Sequence, residues 1–195
     1  MNDTGLNLQL RSNGNDVDPV RQRCKVEILD TNVTHWEVYR EEVLALEQTV
    51  FEADHAFDDT DFVEVFEDLD AIIVFLRDGK KLVGYIYAMP LSYFEDEITE
   101  AAREDDGKKT AYIQNLAIHP AYRGHKLAPM ITLALQNELV NKGYAFVELD
   151  ATTRNNYAAN VEKDFRKRNL LIIAGEVHDS EIGPRRFFRA RLSKS

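Results

Sequence analysis

The residues best placed to do chemistry lie in one run, Ile113-Gln114-Asn115-Leu116-Ala117-Ile118-His119-Pro120-Ala121-Tyr122-Arg123-Gly124-His125-Lys126-Leu127-Ala128. It reads as a buried apolar strand that empties through a short basic loop, with one glycine, into a helix. The first N–H groups of a helix have no intrahelical partner and sit at the positive end of its dipole. Phosphate oxygens can therefore be held there by main chain alone. Arg123, His125 and Lys126 add side-chain charge at the same point. The competing reading is an ordinary strand-to-helix turn with solvated basic residues. The missing Gly-Lys-Ser/Thr ending removes a nucleotide P-loop.

Proton chemistry has fewer candidates. Asn115 is a polar amide in an apolar strand, where an unpartnered amide costs on the order of 1–3 kcal/mol. It either holds a water or substrate or is a satisfied structural amide, and alternation turns Gln114 to the opposite face. Glu148 and Asp150 share one face of a later strand and are candidate bases, although paired acids on a strand are usually a wet face. The five histidines have no metal-ligand spacing, and no metal is expected.

These groups need a scaffold, and a chain of 195 residues with 44% hydrophobic content is long enough for one sizeable core and short for two. Residues 1–22 carry Asn, Asp, Gly and Ser with little periodicity and are expected to be a mobile arm, leaving one domain over 23–195. Cys24 to Leu29 reads as a first strand. Thr34-His35-Trp36-Glu37 has capping-box spacing, with Val33 and Val38 placed as a staple, and Trp36, Tyr39, Val43, Leu46 and Val50 give the following helix one apolar face. Phe62, Val65, Phe66 and Leu69 suit a second, short helix. Ala71–Leu76 and Leu82–Met89 form a hairpin across Asp78-Gly79, and an acidic helical insertion follows Pro90 to about Asp106. The helix after the basic loop carries Leu127, Met130, Ile131, Ala134, Leu135 and Leu139 on one stripe, with Pro129 harmless in its first turn and Gly143 at its end. A strand at 145–151, a helix at 156–168 and strands at 170–174 and 186–192 complete the order.

The strand, the Arg123-to-Ala128 loop and the helix together resemble the acyl-CoA signature of the GNAT superfamily of N-acyltransferases, Arg/Gln-x-x-Gly-x-Gly/Ala. Arg123 and Ala128 match its ends, whereas Lys126 stands where the family usually has glycine, so the phosphate loop is atypical. The resemblance covers roughly residues 24–192 and is specific from 111 to 170. It implies an α/β (α+β) single domain with a mixed sheet of six to seven strands and about four helices.

The resemblance also implies acetyl-CoA as co-substrate and an amine as acceptor. Leu116, Ala117 and Ile118 would pair with the pantetheine arm, and Arg123, Gly124, His125, Lys126, Leu127 and Ala128 would cradle the pyrophosphate. Asn155 or Asn156, each followed three residues later by alanine, resembles the family's Asn-x-x-Ala beside the cofactor, although a helix cap explains an asparagine equally well. Phe165 replaces the tyrosine often assigned to protonate the leaving thiolate, a task left to Tyr157 or to solvent. A protein of the same fold that binds acyl-CoA with little turnover, and an unrelated α/β phosphate-binding protein, remain as alternatives.

Charge narrows the partners. The net charge of −10 and pI near 5.0 argue against nucleic acid, which demands a basic face. Nine acids and no Lys or Arg lie between Glu52 and Asp70, and seven acids accompany Arg103 between Ser92 and Asp106. In the fold that the resemblance implies, these segments wall the acceptor side, so a cationic small molecule or a lysine-bearing peptide is expected as acceptor. The single cysteine, Cys24, cannot form an intramolecular disulfide, and no apolar run has membrane-spanning length. A cytoplasmic location away from any membrane is expected, and a homodimer stays open.

Overall fold

The structure is a computed structural model that describes residues 18–32, 35–53, 55–94, 109–180 and 183–193. Helix α1 spans Pro19–Arg23 and runs directly into strand β1, Cys24–Ile28. Then come α2 (Trp36–Val50), α3 (Asp59–Glu67), β2 (Ile72–Asp78), β3 (Lys81–Pro90), β4 (Thr110–Ile118), α4 (Leu127–Asn141), β5 (Phe146–Thr152), α5 (Tyr157–Lys167), β6 (Leu171–Ser180) and β7 (Gly183–Arg191). The strands make one seven-stranded sheet in the order β1-β2-β3-β4-β5-β7-β6, antiparallel except where β4 meets β5. This is the mixed sheet that the resemblance implies.

Two apolar layers cover its faces. Ile131, Leu135 and Leu139 of α4 and Ala158 and Phe165 of α5 pack against Val74, Leu76, Val147, Leu149 and Phe188 on one face. Trp36, Val43 and Leu46 of α2 and Phe62, Val65 and Phe66 of α3 pack against Phe75, Tyr85 and Tyr87 on the other. Each such aliphatic or aromatic side chain contributes about 1.5–3 kcal/mol when removed from water. The stripe read in α4 is thus its buried face.

Local signals account for the boundaries. Asp58 accepts the N–H groups of Thr60 and Asp61, and Asp61 returns the bond to the Asp58 N–H, so a capping box starts α3. The β2–β3 turn needs a residue at φ +61°, which Gly79 supplies. Three expectations are revised. The last two strands are longer than read, because ten- and nine-residue strands pair as far as Ser180 opposite Gly183. Helix α2 begins at Trp36 with His35 in the cap position, and the Thr34 and Val33 expected as box and staple lie outside the described residues, as does the acidic insertion from 95 to 108. Of the expected arm, residues 1–17 lie outside them too, whereas 18–22 are ordered, because the Asp18 carboxylate accepts the Val20 and Arg21 N–H groups and starts α1.

Candidate active site

The site begins where two strands part. Thr110–Ile113 of β4 pair in parallel with Phe146–Leu149 of β5, and the ladder stops there, although β4 continues to Ile118 and β5 to Thr152. Beyond Leu149, β5 pairs only with β7, and beyond Ile113, β4 pairs only with β3. A wedge therefore opens in the middle of the sheet.

A bulge sits at the same point. Tyr87 of β3 faces Asn115 while Ala88 faces Ile113, so Gln114 is an extra residue in β4. An extra residue reverses the alternation beyond it. The His119 N–H donates to the Val83 carbonyl at 2.9 Å, so main-chain groups of Ala117 and Asn115 also point to β3, and those of Leu116 and Ile118 point into the wedge. This orientation leaves the Leu116 N–H and C=O available to a ligand strand. The Ile118 carbonyl accepts from Arg123 Nε at 3.1 Å.

The loop closes the wide end of the wedge. His119 Nδ1 accepts the Ala121 N–H at 3.2 Å and caps the short turn Pro120–Tyr122. Gly124 has φ +87° with no atom within 4 Å of where a Cβ would stand, so it is required by backbone conformation and leaves open space in front of the loop. Lys126, half a turn later, adopts the left-handed conformation at φ 55°, ψ 34° and occupies the cap position of α4. That explains why glycine is usual there and what the lysine costs. Leu127 and Ala128 then present N–H groups at the helix start, whereas Pro129 has none.

Two of the three basic side chains of the loop already have partners. Arg123 is drawn to Ile118, and His125 Nδ1 lies 2.7 Å from Asp18 Oδ2, a bond that holds the Asp18 carboxyl below its ordinary range. Lys126 is exposed. The N-terminal segment thereby straps the loop, with Asp78 below it receiving Arg23 Nη2 at 3.1 Å and the Tyr122 hydroxyl at 3.0 Å.

Glu148 lies one step before the wedge, in register with Tyr112 on β4 and with Arg189 on β7. It is fully buried, and neither carboxylate oxygen has a hydrogen-bond donor among the described residues. Arg189 Nη1 is 3.0 Å from Oε1, a charge contact without hydrogen-bond alignment, and the guanidinium stacks 4.5 Å over Phe146. Burial drives the Glu148 carboxyl up to about 7, Arg189 opposes the rise, and nearby Asp150 adds to it. The wet face expected for this acid is therefore a dry one. Asp150, on the same face at the mouth of the wedge, is partly exposed, with His178 Nε2 3.7 Å from its Oδ1 and Arg185 bonded to its carbonyl.

Tyr157 starts α5 beside the core, and burial pushes its hydroxyl up to about 12, with Arg185 pulling against the rise. It is thus protonated at neutral pH. Asn156 precedes it at φ 59° and makes no side-chain cap bond, so the capping explanation does not apply to it, and Asn155 stands beside it in the short turn Arg154–Asn156. Phe165, eight residues on, is 3% exposed within the α4–α5 core and needs no further role than packing.

Asn115 is satisfied inside the protein. Its Nδ2 donates to Tyr85 Oη at 2.8 Å and to Glu47 Oε1 at 3.3 Å. Glu47 and Tyr85 escaped the sequence reading, though a signal was present: Glu47 lies one turn after Val43 on the apolar stripe of α2. Among the described residues no group of His, Cys, Asp and Glu could hold a metal ion, and no helix is long and apolar enough to cross a membrane.

Residues 34–163 match the family model described as Acetyltransferase (GNAT) family. The chain belongs to that family. Solved structures carry the same fold at low identity. The ribosomal-protein-S18-alanine N-acetyltransferase of Escherichia coli is 13% identical over 88% of this chain and 96% of its own, with a TM-score of 0.60. FeeM, an N-acyl amino acid synthase from uncultured soil microbes, is 17% identical over 87% and 91%, with a TM-score of 0.62. Aminoglycoside 6'-acetyltransferase type Ii is 16% identical over 88% and 99%, at 0.60. No curated protein matches the sequence significantly. At these identities the likeness to this GNAT member is one of fold.

Proposed function

We propose that this chain transfers an acetyl group from acetyl-CoA to a primary amine borne by a cationic small molecule or a lysine-bearing peptide. The observation that carries the reading is the wedge: β4 and β5 separate after Ile113 and Leu149 and leave the Leu116 main chain and the Ile118 N–H facing it, unpaired by β5. An extended pantetheine arm fits such an unpaired strand edge, and the open front of Gly124 with the Leu127 and Ala128 N–H groups fits its pyrophosphate. Membership of the family agrees with both.

The chemistry then follows from the groups at hand. The amine nitrogen attacks the thioester carbonyl, whose oxygen gains charge in front of the Leu116 N–H, and the C–S bond breaks. Glu148, with a carboxyl near 7, is suited to take the proton from the amine at neutral pH, directly or through water, and Asp150 adds negative charge at the wedge mouth. Tyr157 retains a proton to give the departing thiolate. The acids of α3 and its flanks, Asp58, Asp59, Asp61, Glu64, Glu67, Asp68 and Asp70, favour a cationic acceptor.

The test is thiol release from acetyl-CoA and from longer acyl-CoA thioesters across polyamines, lysine peptides and anionic amino acids at low and high salt. Release with cationic amines, weakened as the Debye length falls from roughly 30 Å at 0.01 M to 3 Å at 1 M, is expected. Equal rates on anionic amines with no salt effect would remove the acidic wall from substrate choice. CoA binding without release under any condition would favour a binding protein over an enzyme.

A further inference from the structure

The buried residues of β4 are all apolar, Ala111, Ile113, Ala117 and Ile118, and Asn115 stands half-buried between them. The bulge decides where Asn115 goes. In a regular ladder it would share a face with Ala111 and Ile113 and enter the aliphatic core under α4. The extra Gln114 turns it to the α2 face, where a network waits. Asn115 Nδ2 donates to Tyr85 Oη and Glu47 Oε1, the Tyr85 hydroxyl donates to Glu47 Oε2, and the Phe57 N–H donates to Oε1 at 3.0 Å. Glu47 is wholly buried, and every donor converges on its carboxylate from α2, so the network ties α2, β3 and β4 together.

A slip of one residue in β4 would place the Asn115 amide among aliphatic side chains and remove one of the donors to a buried carboxylate, both of them costly. The same slip would turn the Leu116 main chain from the wedge toward β3. We infer that Glu47, acting through Tyr85 and Asn115, is a positioning residue that locks the β4 bulge and so aims the Leu116 N–H into the wedge. Its bearing on the thioester rests on the function proposed above, whereas the lock itself is a property of the unliganded chain.

The test uses Tyr85→Phe, which removes one oxygen, and Glu47→Gln. In the unliganded protein, amide hydrogen exchange of the 113–118 segment, where Asn115 and Ala117 face β3, should accelerate at least tenfold while α4 keeps its protection. The calorimetric Kd for CoA, which lacks an acyl carbonyl, should stay within twofold. For acetyl-CoA turnover, kcat should fall ten- to a hundredfold with KM within threefold. Wild-type exchange in both variants, or parallel losses of CoA affinity and kcat, would overturn the inference. If either variant fails to fold, Asn115→Ala at a partly exposed strand position carries the same measurements. A wild-type protein that binds no CoA would overturn the proposed function alone, since the exchange comparison still decides the lock.

Discussion

Glu148 makes folding stability depend on pH in a direction opposite to that of ordinary surface carboxylates. Its ordinary value is 4.5, and burial raises it to about 7 in the folded chain. Between those values the folded state holds a proton that the unfolded state has released, so stability is greatest at low pH and is lost as pH rises through 7. A two-state linkage with these values gives a loss of about 2–3 kcal/mol between pH 5 and pH 8 from this one group. Glu148→Gln cannot titrate. In its neutrality it stands in for the protonated acid that faces Arg189 in the folded wild type below pH 7, so the difference between the two proteins follows the titration of Glu148. The assay is urea unfolding of both proteins at half-unit steps from pH 5 to pH 8. The variant's stability should gain on the wild type by about 2–3 kcal/mol across the series, and Glu47, also raised by burial, cancels because both proteins retain it. Parallel curves would show that Glu148 is ionised throughout and would remove the reason for making it the proton acceptor.

Three further outcomes follow from the loop and the core. Lys126→Gly should relieve the left-handed conformation at the α4 cap by about 1 kcal/mol, raising Tm by roughly 2–4 °C in calorimetry, since the side chain is exposed; an unchanged or lower Tm would mean that the loop relaxes or that the lysine stem contributes packing. Gly124→Val meets no neighbour but forces a branched residue to φ +87°, so it should cost about 1–3 kcal/mol in urea unfolding and weaken CoA binding at least tenfold, and retention of both would remove the loop from the site. Phe165→Tyr puts a hydroxyl into a core position that is 3% exposed, so it should lower stability by about 1–3 kcal/mol with no gain in thiol release; faster release would show that this ring does face the substrate.

Much of this chain is written locally, and locality is why the sequence is legible. The stripe Leu127, Ile131, Leu135 and Leu139 is a period that only one face of a helix can satisfy, Asp78-Gly79 admits a tight turn, and the strand, the basic glycine loop and the helix follow one another directly in sequence. The fold and the place of the phosphate loop could be read for that reason. Two adjacent residues show where such reading stops. Asn115 and Gln114 were both expected to follow simple alternation, yet Gln114 is the extra residue of a bulge, because the partners that make that register favourable, Glu47 and Tyr85, lie 68 and 30 residues away in sequence. The character of Glu148 was likewise out of reach, since its burial depends on the flanking strands β4 and β7 and on Arg189, supplied by β7. Periodicity, capping and turn chemistry act between neighbours in sequence and fix the elements; desolvation, bulge register and charge pairing act between neighbours in space, and only the assembled sheet decides them.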